Sequence, residues 1–149
     1  PVVQGKQDIQ NELRALLEPM LLSKSAPRLT ESDFTELDRI LAEYSEELHA
    51  NSPARWGELN TRLHQRLMSR ANQPKTTNIV NSLLLQTDRY TRLQLSLSRQ
   101  SAAQAEAEHA ELVDLCRKGQ AQEAAALLKR HIGHVSDELR DFLLSRRTA

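Results

Sequence analysis

The sequence predicts an all-α fold, an antiparallel bundle of about six helices, and three observations carry that prediction. Only four glycines and five prolines interrupt 149 residues. Leu, Ala, Glu, Gln and Arg, all good helix formers, are abundant, while aromatic residues make up 3% of the chain. Apolar residues recur at spacings of three and four, the period of a helix with one buried face, and no alternating strand pattern or fixed-period repeat is present. A chain of this length builds one domain, residues 1–149, around one core.

Each element follows from its own pattern. Ile9, Leu13, Leu16, Leu17, Met20 and Leu21 define a first helix over about 7–23. Pro27 lies in the connection, and Thr30 with Asp33 three residues on resembles a capping box. The second helix it opens carries Phe34, Leu37, Ile40, Leu41, Tyr44 and Leu48 and ends near His49. Ser52 before Pro53 is a cap followed by a first-turn proline, starting a third helix with Trp56, Leu59, Leu63, Leu67 and Met68 on one side. Asn72 to Pro74 stops it. A fourth helix, about 77–98, presents Val80, Leu83, Leu84, Tyr90, Leu93 and Leu97. The fifth, about 101–118, groups His109, Leu112, Val113 and Cys116, and Gly119 suits the left-handed residue that ends a helix. After Gln120 the last helix runs almost to the terminus with Ala124, Leu127, Leu128, His131, Val135, Leu139 and Phe142 in one stripe.

Charge and composition exclude several function classes. Twenty basic side chains balance twenty acidic ones, so no overall field draws this piece to nucleic acid or to an anionic membrane. No apolar run approaches the roughly 18 to 20 residues of a membrane span, and no signal-like start is present. The single Cys116 forms no intrachain disulfide, which fits a reducing compartment, and a cytoplasmic location is expected.

Histidines carry the functional signal. His64 has Asn60 one turn before it and Leu67 and Met68 after it; His109 has Leu112 and Val113 ahead; His131 lies between Leu127, Leu128 and Val135. All three are expected to point inward from different helices. His134, between Arg130 and Glu138, and His49, at a polar helix end, are expected in solvent. One inward imidazole is usually a satisfied core residue. Three in one small core cost desolvation unless each finds a partner, and a shared divalent cation would satisfy them together. Cys116, on the face of His109, reads as plain core.

The same residues resemble a known family in order along the whole chain. Glu108-His109-Ala110-Glu111-Leu112-Val113, Gly119, Ala124-Ala125 and Lys129-Arg130-His131-Ile132 resemble the end of the effector-binding domain of FadR-type GntR transcription regulators, the FCD domain. Leu59-Asn60-Thr61-Arg62-Leu63-His64 resembles its Asp-x-x-x-His helix, and Ala71-Asn72-Gln73-Pro74 its Asn-x-Pro turn. Arg14-Ala15-Leu16-Leu17-Glu18 resembles its Arg-x-x-Leu-Glu signature, and Arg89-Tyr90-Thr91-Arg92-Leu93 its basic-aromatic stretch.

The resemblance implies a helical bundle that holds a small organic acid, in many members beside a divalent metal. The ligand positions it implies are Asn60, His64, His109 and His131, with Asn60 standing where the family has Asp. A neutral carbonyl oxygen replaces a carboxylate there, so weaker metal binding is expected. Histidine suits Zn, Ni, Co and Fe alike. A bound carboxylate needs a counter-charge, for which Arg14 is the first candidate, Arg92 the second and Arg89 the third. The family also implies a homodimer and an N-terminal winged helix-turn-helix through which operator DNA is bound. The residues before the first helix leave no room for such a head, so the chain reads as the effector domain alone.

Two other classes share these features. A metal-dependent hydrolytic enzyme would use the three histidines with an open position for water, and would want a general base, for which Glu108 and Glu111 are turned off the face of His109. A helical adaptor without metal would keep the histidines as core residues.

Overall fold

The computed structural model describes residues 2–50, 53–96 and 99–148. They form six α-helices: α1 (Val2–Ser25), α2 (Glu31–His49), α3 (Trp56–Leu67), α4 (Pro74–Ser96), α5 (Arg99–Arg117) and α6 (Ala121–Thr148). Short 3-10 turns, Ala26–Arg28 and Pro53–Arg55, precede α2 and α3, and no strand occurs among the described residues. The all-α bundle expected from periodicity is the fold. Ser52 and Leu97 lie outside the described residues, as do the side chains of Arg89, Leu139 and Phe142.

Helix ends follow the chemistry of their capping residues. Asp33 N donates to Thr30 Oγ1 (3.3 Å) while Thr30 N donates to Asp33 Oδ2 (2.8 Å), the reciprocal box that opens α2. Gly119 takes a left-handed φ of 77° after α5. There the N–H of Gln120 reaches the carbonyl of Leu115 (2.9 Å) and the N–H of Gly119 that of Cys116 (3.1 Å), closing a Schellman turn. α3 stops at Leu67, and Asn72 turns the chain with φ 56°. α4 begins at Pro74, three residues before the sequence-based start, because a proline ring fits a first helical turn whose N–H needs no partner.

The core gathers Leu22, Leu37, Ile40, Leu59, Leu63 and Leu112, with a second cluster of Leu21, Met68, Val80 and Leu84 between α1 and α4. α1 packs most extensively along α6, while α3 lies between α2 and α4. The crossing of α3 and α4 is close at Gly57, where an added Cβ would stand 2.7 Å from the backbone oxygen of Asp88.

α1 departs from its sequence reading. The helix exists, extended to Val2–Ser25, but Ile9 (60% exposed), Leu13, Leu16 (67%) and Met20 face outward. Its inner face is largely polar, with Gln10, Asn11, Arg14, Glu18 and Ser25 buried beside Leu21 and Leu22. Periodicity marks an apolar stripe but not what covers it; here polar partners on other helices take the interior.

Asp33 is the clearest local stabiliser. Its carboxylate meets Arg70 Nε (2.9 Å) and Arg66 Nε (3.1 Å) in addition to the cap. Hydrogen bonds from Arg70 and Thr30 outweigh the cost of burial and hold its pKa at about 2. A carboxyl depressed on folding stabilises above its unfolded pKa near 4 and loses that contribution as pH falls toward 2. Because both arginines are partly exposed, we expect Asp33→Asn to cost about 1 to 2 kcal/mol at pH 7. The gap to the parent should close between pH 4 and 2 in urea unfolding. A gap independent of pH contradicts this account.

Candidate metal centre

α3, α5 and α6 each bring one imidazole to the middle of the bundle. His64, His109 and His131 are 1%, 0% and 2% exposed. Their ring centroids lie 4.8 Å (His109 to His131), 5.6 Å (His64 to His131) and 5.9 Å (His64 to His109) apart. One nitrogen from each falls within 4.8 Å of the others. A single ion reaches imidazole nitrogens at about 2 Å, so donors up to about 4 Å apart share it, a span slightly tighter than the one these three show.

The rings are oriented by carboxylates that the sequence reading did not assign. Glu18 Oε1 stands 2.6 Å from His64 Nδ1, and Glu108 Oε1 stands 2.9 Å from His131 Nδ1. An ionised carboxylate only accepts, so both rings donate from Nδ1, and Nε2 is the nitrogen left for another partner. Glu18 lies in the Arg-x-x-Leu-Glu run and is wholly buried. Burial opposes its ionisation, yet Arg14 and His64 hold its pKa at about 2. Glu108, adjacent to His109 in sequence, turns instead to α6 and is shared with His134 (3.0 Å). Its pKa is lowered too: partial burial raises it, and the two histidines more than offset that.

His109 is the unsatisfied member. Neither of its nitrogens has a hydrogen-bond partner, and His64 Nε2 also lacks one. Burial first, then the neighbouring His131 and His64, push the His109 pKa well below 6.5, which keeps its ring neutral and able to donate a lone pair to a cation. His131 is lowered by burial, partly opposed by Glu108. Three converging imidazoles, two of them held by carboxylates on their outer sides and two of them with unpartnered interior nitrogens, form a donor set that fits a divalent cation. Asn60 is buried one turn before His64 on α3.

The remaining sequence candidates fall differently. Arg14 is buried as expected, but its charge is not free: Nε meets Glu18 Oε2 at 2.5 Å. An unpaired guanidinium awaiting an anion is therefore not what α1 supplies. Arg92 is exposed on α4, and the side chain of Arg89 lies outside the described residues. His49 and His134 are exposed, as expected. Burial pushes the Cys116 thiol up to about 11, the behaviour of a core residue. Tyr44 and Trp56, read from sequence as core, are buried with Oη and Nε1 unpartnered, and the Tyr44 ring meets His109 edge-on at 5.1 Å.

A helical bundle with a buried three-histidine centre is thus the class that fold and site define. The chain belongs to the FCD domain family, whose model matches residues 11–134. No curated protein matches it. Among solved structures, a GntR-family transcriptional regulator from Pseudomonas syringae pv. tomato str. DC3000 is similar with a TM-score of 0.77 at 23% identity, covering 97% of this chain and 60% of its own. Streptococcus agalactiae GntR is similar with a TM-score of 0.71 at 19% identity, covering 88% of this chain and 58% of its own. At these identities the likeness is one of fold, and this chain spans about 60% of the length of the first.

An imidazole buried with both nitrogens unpaired costs on the order of 1 to 3 kcal/mol. In chelator, His109→Leu should therefore melt no lower than the parent, although it alters the core. If Zn(II) raises the Tm of the parent, the same variant should lose that rise. A variant much less stable in chelator would show that the nitrogens have partners.

Proposed function

We propose that this domain is the effector-sensing part of a GntR-class DNA-binding transcription regulator. In this reading it holds a divalent cation, Zn(II) or Ni(II), on His64, His109 and His131, with the Asn60 carbonyl oxygen as a fourth donor. A small organic acid binds beside the cation. The single observation that carries the reading is the cluster of three buried histidines, in which both nitrogens of His109 and Nε2 of His64 lack protein partners.

The acid is recognised mainly by the cation's charge, because Arg14 is already neutralised by Glu18. Tyr44, packed on His109 with a free hydroxyl, is the neutral donor available to the acid's second oxygen. Membership of the FCD domain family supports a regulatory rather than enzymatic character. That character is also supported by the engagement of both carboxylates nearest the histidines: Glu18 is held by Arg14 and His64, and Glu108 by His131 and His134, so neither serves as a base for bound water. No described helix is long and apolar enough to cross a membrane.

Self-association completes the proposal. Ile9, Leu13, Leu16 and Met20 are spaced four, three and four residues apart, the heptad seam of paired helices, and all are exposed on α1. A row of large apolar side chains in water marks a contact surface, and a second copy of this chain is the partner a twofold regulator requires. DNA enters only through a separate N-terminal head, whose spacing in the dimer the effector biases.

Calorimetry tests the site. Zn(II) should bind at one ion per chain, and Asn60→Asp should tighten it about tenfold by adding a charge to the donor set. Small carboxylates should bind the Zn(II) form and not the chelated form; equal binding to both excludes the cation as their partner. Sedimentation tests the surface: the parent should dimerise at micromolar to millimolar concentration, and Leu13→Glu with Leu16→Glu should be monomeric. A double variant that still dimerises moves the interface off α1.

A further inference from the structure

Arg14 and Glu18 form an ion pair closed to water on the inner face of α1, with side chains 4% and 0% exposed. Such a pair contributes less stability than well-packed apolar residues of similar volume, so its presence calls for another reason. The reason lies in its connections. Glu18 gives one oxygen to Arg14 and the other to His64 on α3. Arg14 Nη1 approaches Thr87 Oγ1 on α4 and Asn11 Oδ1, each at 3.5 Å. One turn earlier Gln10 Nε2 donates to Gln86 Oε1 at 2.5 Å. A line of polar side chains, buried from His64 through Glu18 and Arg14 to Thr87 and Gln10 and ending on the exposed Gln86, thus runs from the central cluster to the seam between α1 and α4. Glu108 offers the contrast: it serves His131 but reaches only α6 and the exposed His134.

We propose that Arg14 and Glu18 are positioning residues forming a strut between the histidine centre and α1, so that cation binding at the centre tightens α1 against α3 and α4. Glu18 fixes the His64 ring with Nε2 toward the cluster, and Arg14 fixes Glu18 on the α1–α4 seam. With a cation on Nε2, the Nδ1–H of His64 becomes a stronger donor, and the buried carboxylate is drawn to the added positive charge. α1 is the helix whose outer side carries the apolar heptad, so the strut places that row one helix away from the centre. The inference rests on the metal reading given above.

The test measures two quantities on the whole chain: Zn(II) affinity, by competition with a chromophoric chelator, and amide hydrogen exchange with and without saturating Zn(II). In the parent, exchange at residues 11–18 and 83–87 should slow about fivefold or more on Zn(II) binding. Glu18→Gln, of the same shape without the charge, should weaken Zn(II) binding about 10- to 100-fold. At saturation its slowing in both segments should fall below about twofold. Glu108→Gln should weaken binding comparably through His131 while leaving the slowing at both segments intact. Thr87→Val, a near-isosteric change distant from the histidines, should lose the slowing at 83–87 with affinity kept within about threefold, and it decides the matter if Glu18→Gln does not fold. Parent-like affinity or parent-like slowing in Glu18→Gln overturns the strut, as does retained slowing in Thr87→Val. A parent that binds Zn(II) without slowing either segment overturns the strut alone. A parent that binds no Zn(II) overturns the metal reading as well.

Discussion

The interior of this bundle is organised by the cost of taking polar groups out of water. Each buried carboxylate has recruited partners from another helix or turn: Glu18 takes Arg14 and His64, Asp33 takes Thr30, Arg66 and Arg70, and Glu108 takes His131 and His134. These pairings determine where the histidine rings point, since a ring whose Nδ1 is claimed from outside can offer only Nε2 to the centre. His109 has no such partner, and both of its nitrogens are left unsatisfied beside the unpartnered Nε2 of His64. The rest of the core is ordinary aliphatic packing that holds three helices at the spacing this arrangement requires.

Much of this was legible in the chain, and the reasons for what was not are specific. The 3.6-residue period located all six helices, and local chemistry located their ends at Thr30, Asp33 and Gly119, because caps depend on residues within one turn. The inward direction of His64, His109 and His131 followed from apolar neighbours at three and four residues. Their partners did not follow. Glu18 lies 46 residues before His64, and only the tertiary fold, in which α1 packs along α6 and α4 and α3 packs on α4, brings them together. Glu108 was read as facing away from His109, which is correct, but nothing local showed that this same direction aims it at α6.

α1 shows the limit of pattern most clearly. Its apolar row and its polar row are both periodic, and hydrophobicity alone would bury the first. The structure buries the second, since Arg14, Glu18 and Gln10 have counterparts on α3 and α4, whereas an aliphatic face there would strand the Nδ1 nitrogen of His64. A single helix thus carries charge compensation inward and apolar surface outward, the reverse of the usual amphipathic arrangement.

The Schellman turn at Gly119 has a consequence for how the centre comes into being. His109 and His131 stand on the two arms of the hairpin it closes, 22 residues apart in the chain, whereas His64 arrives from 45 residues before His109. Closing a short loop loses less chain entropy than closing a long one, so the α5–α6 pair can bring two imidazoles together while most of the polypeptide is still unfolded. α3 then docks onto a half-built site. A newly made chain would hold two imidazoles side by side before it has a finished core, so the docking of α3, not the pairing of α5 with α6, completes the cluster.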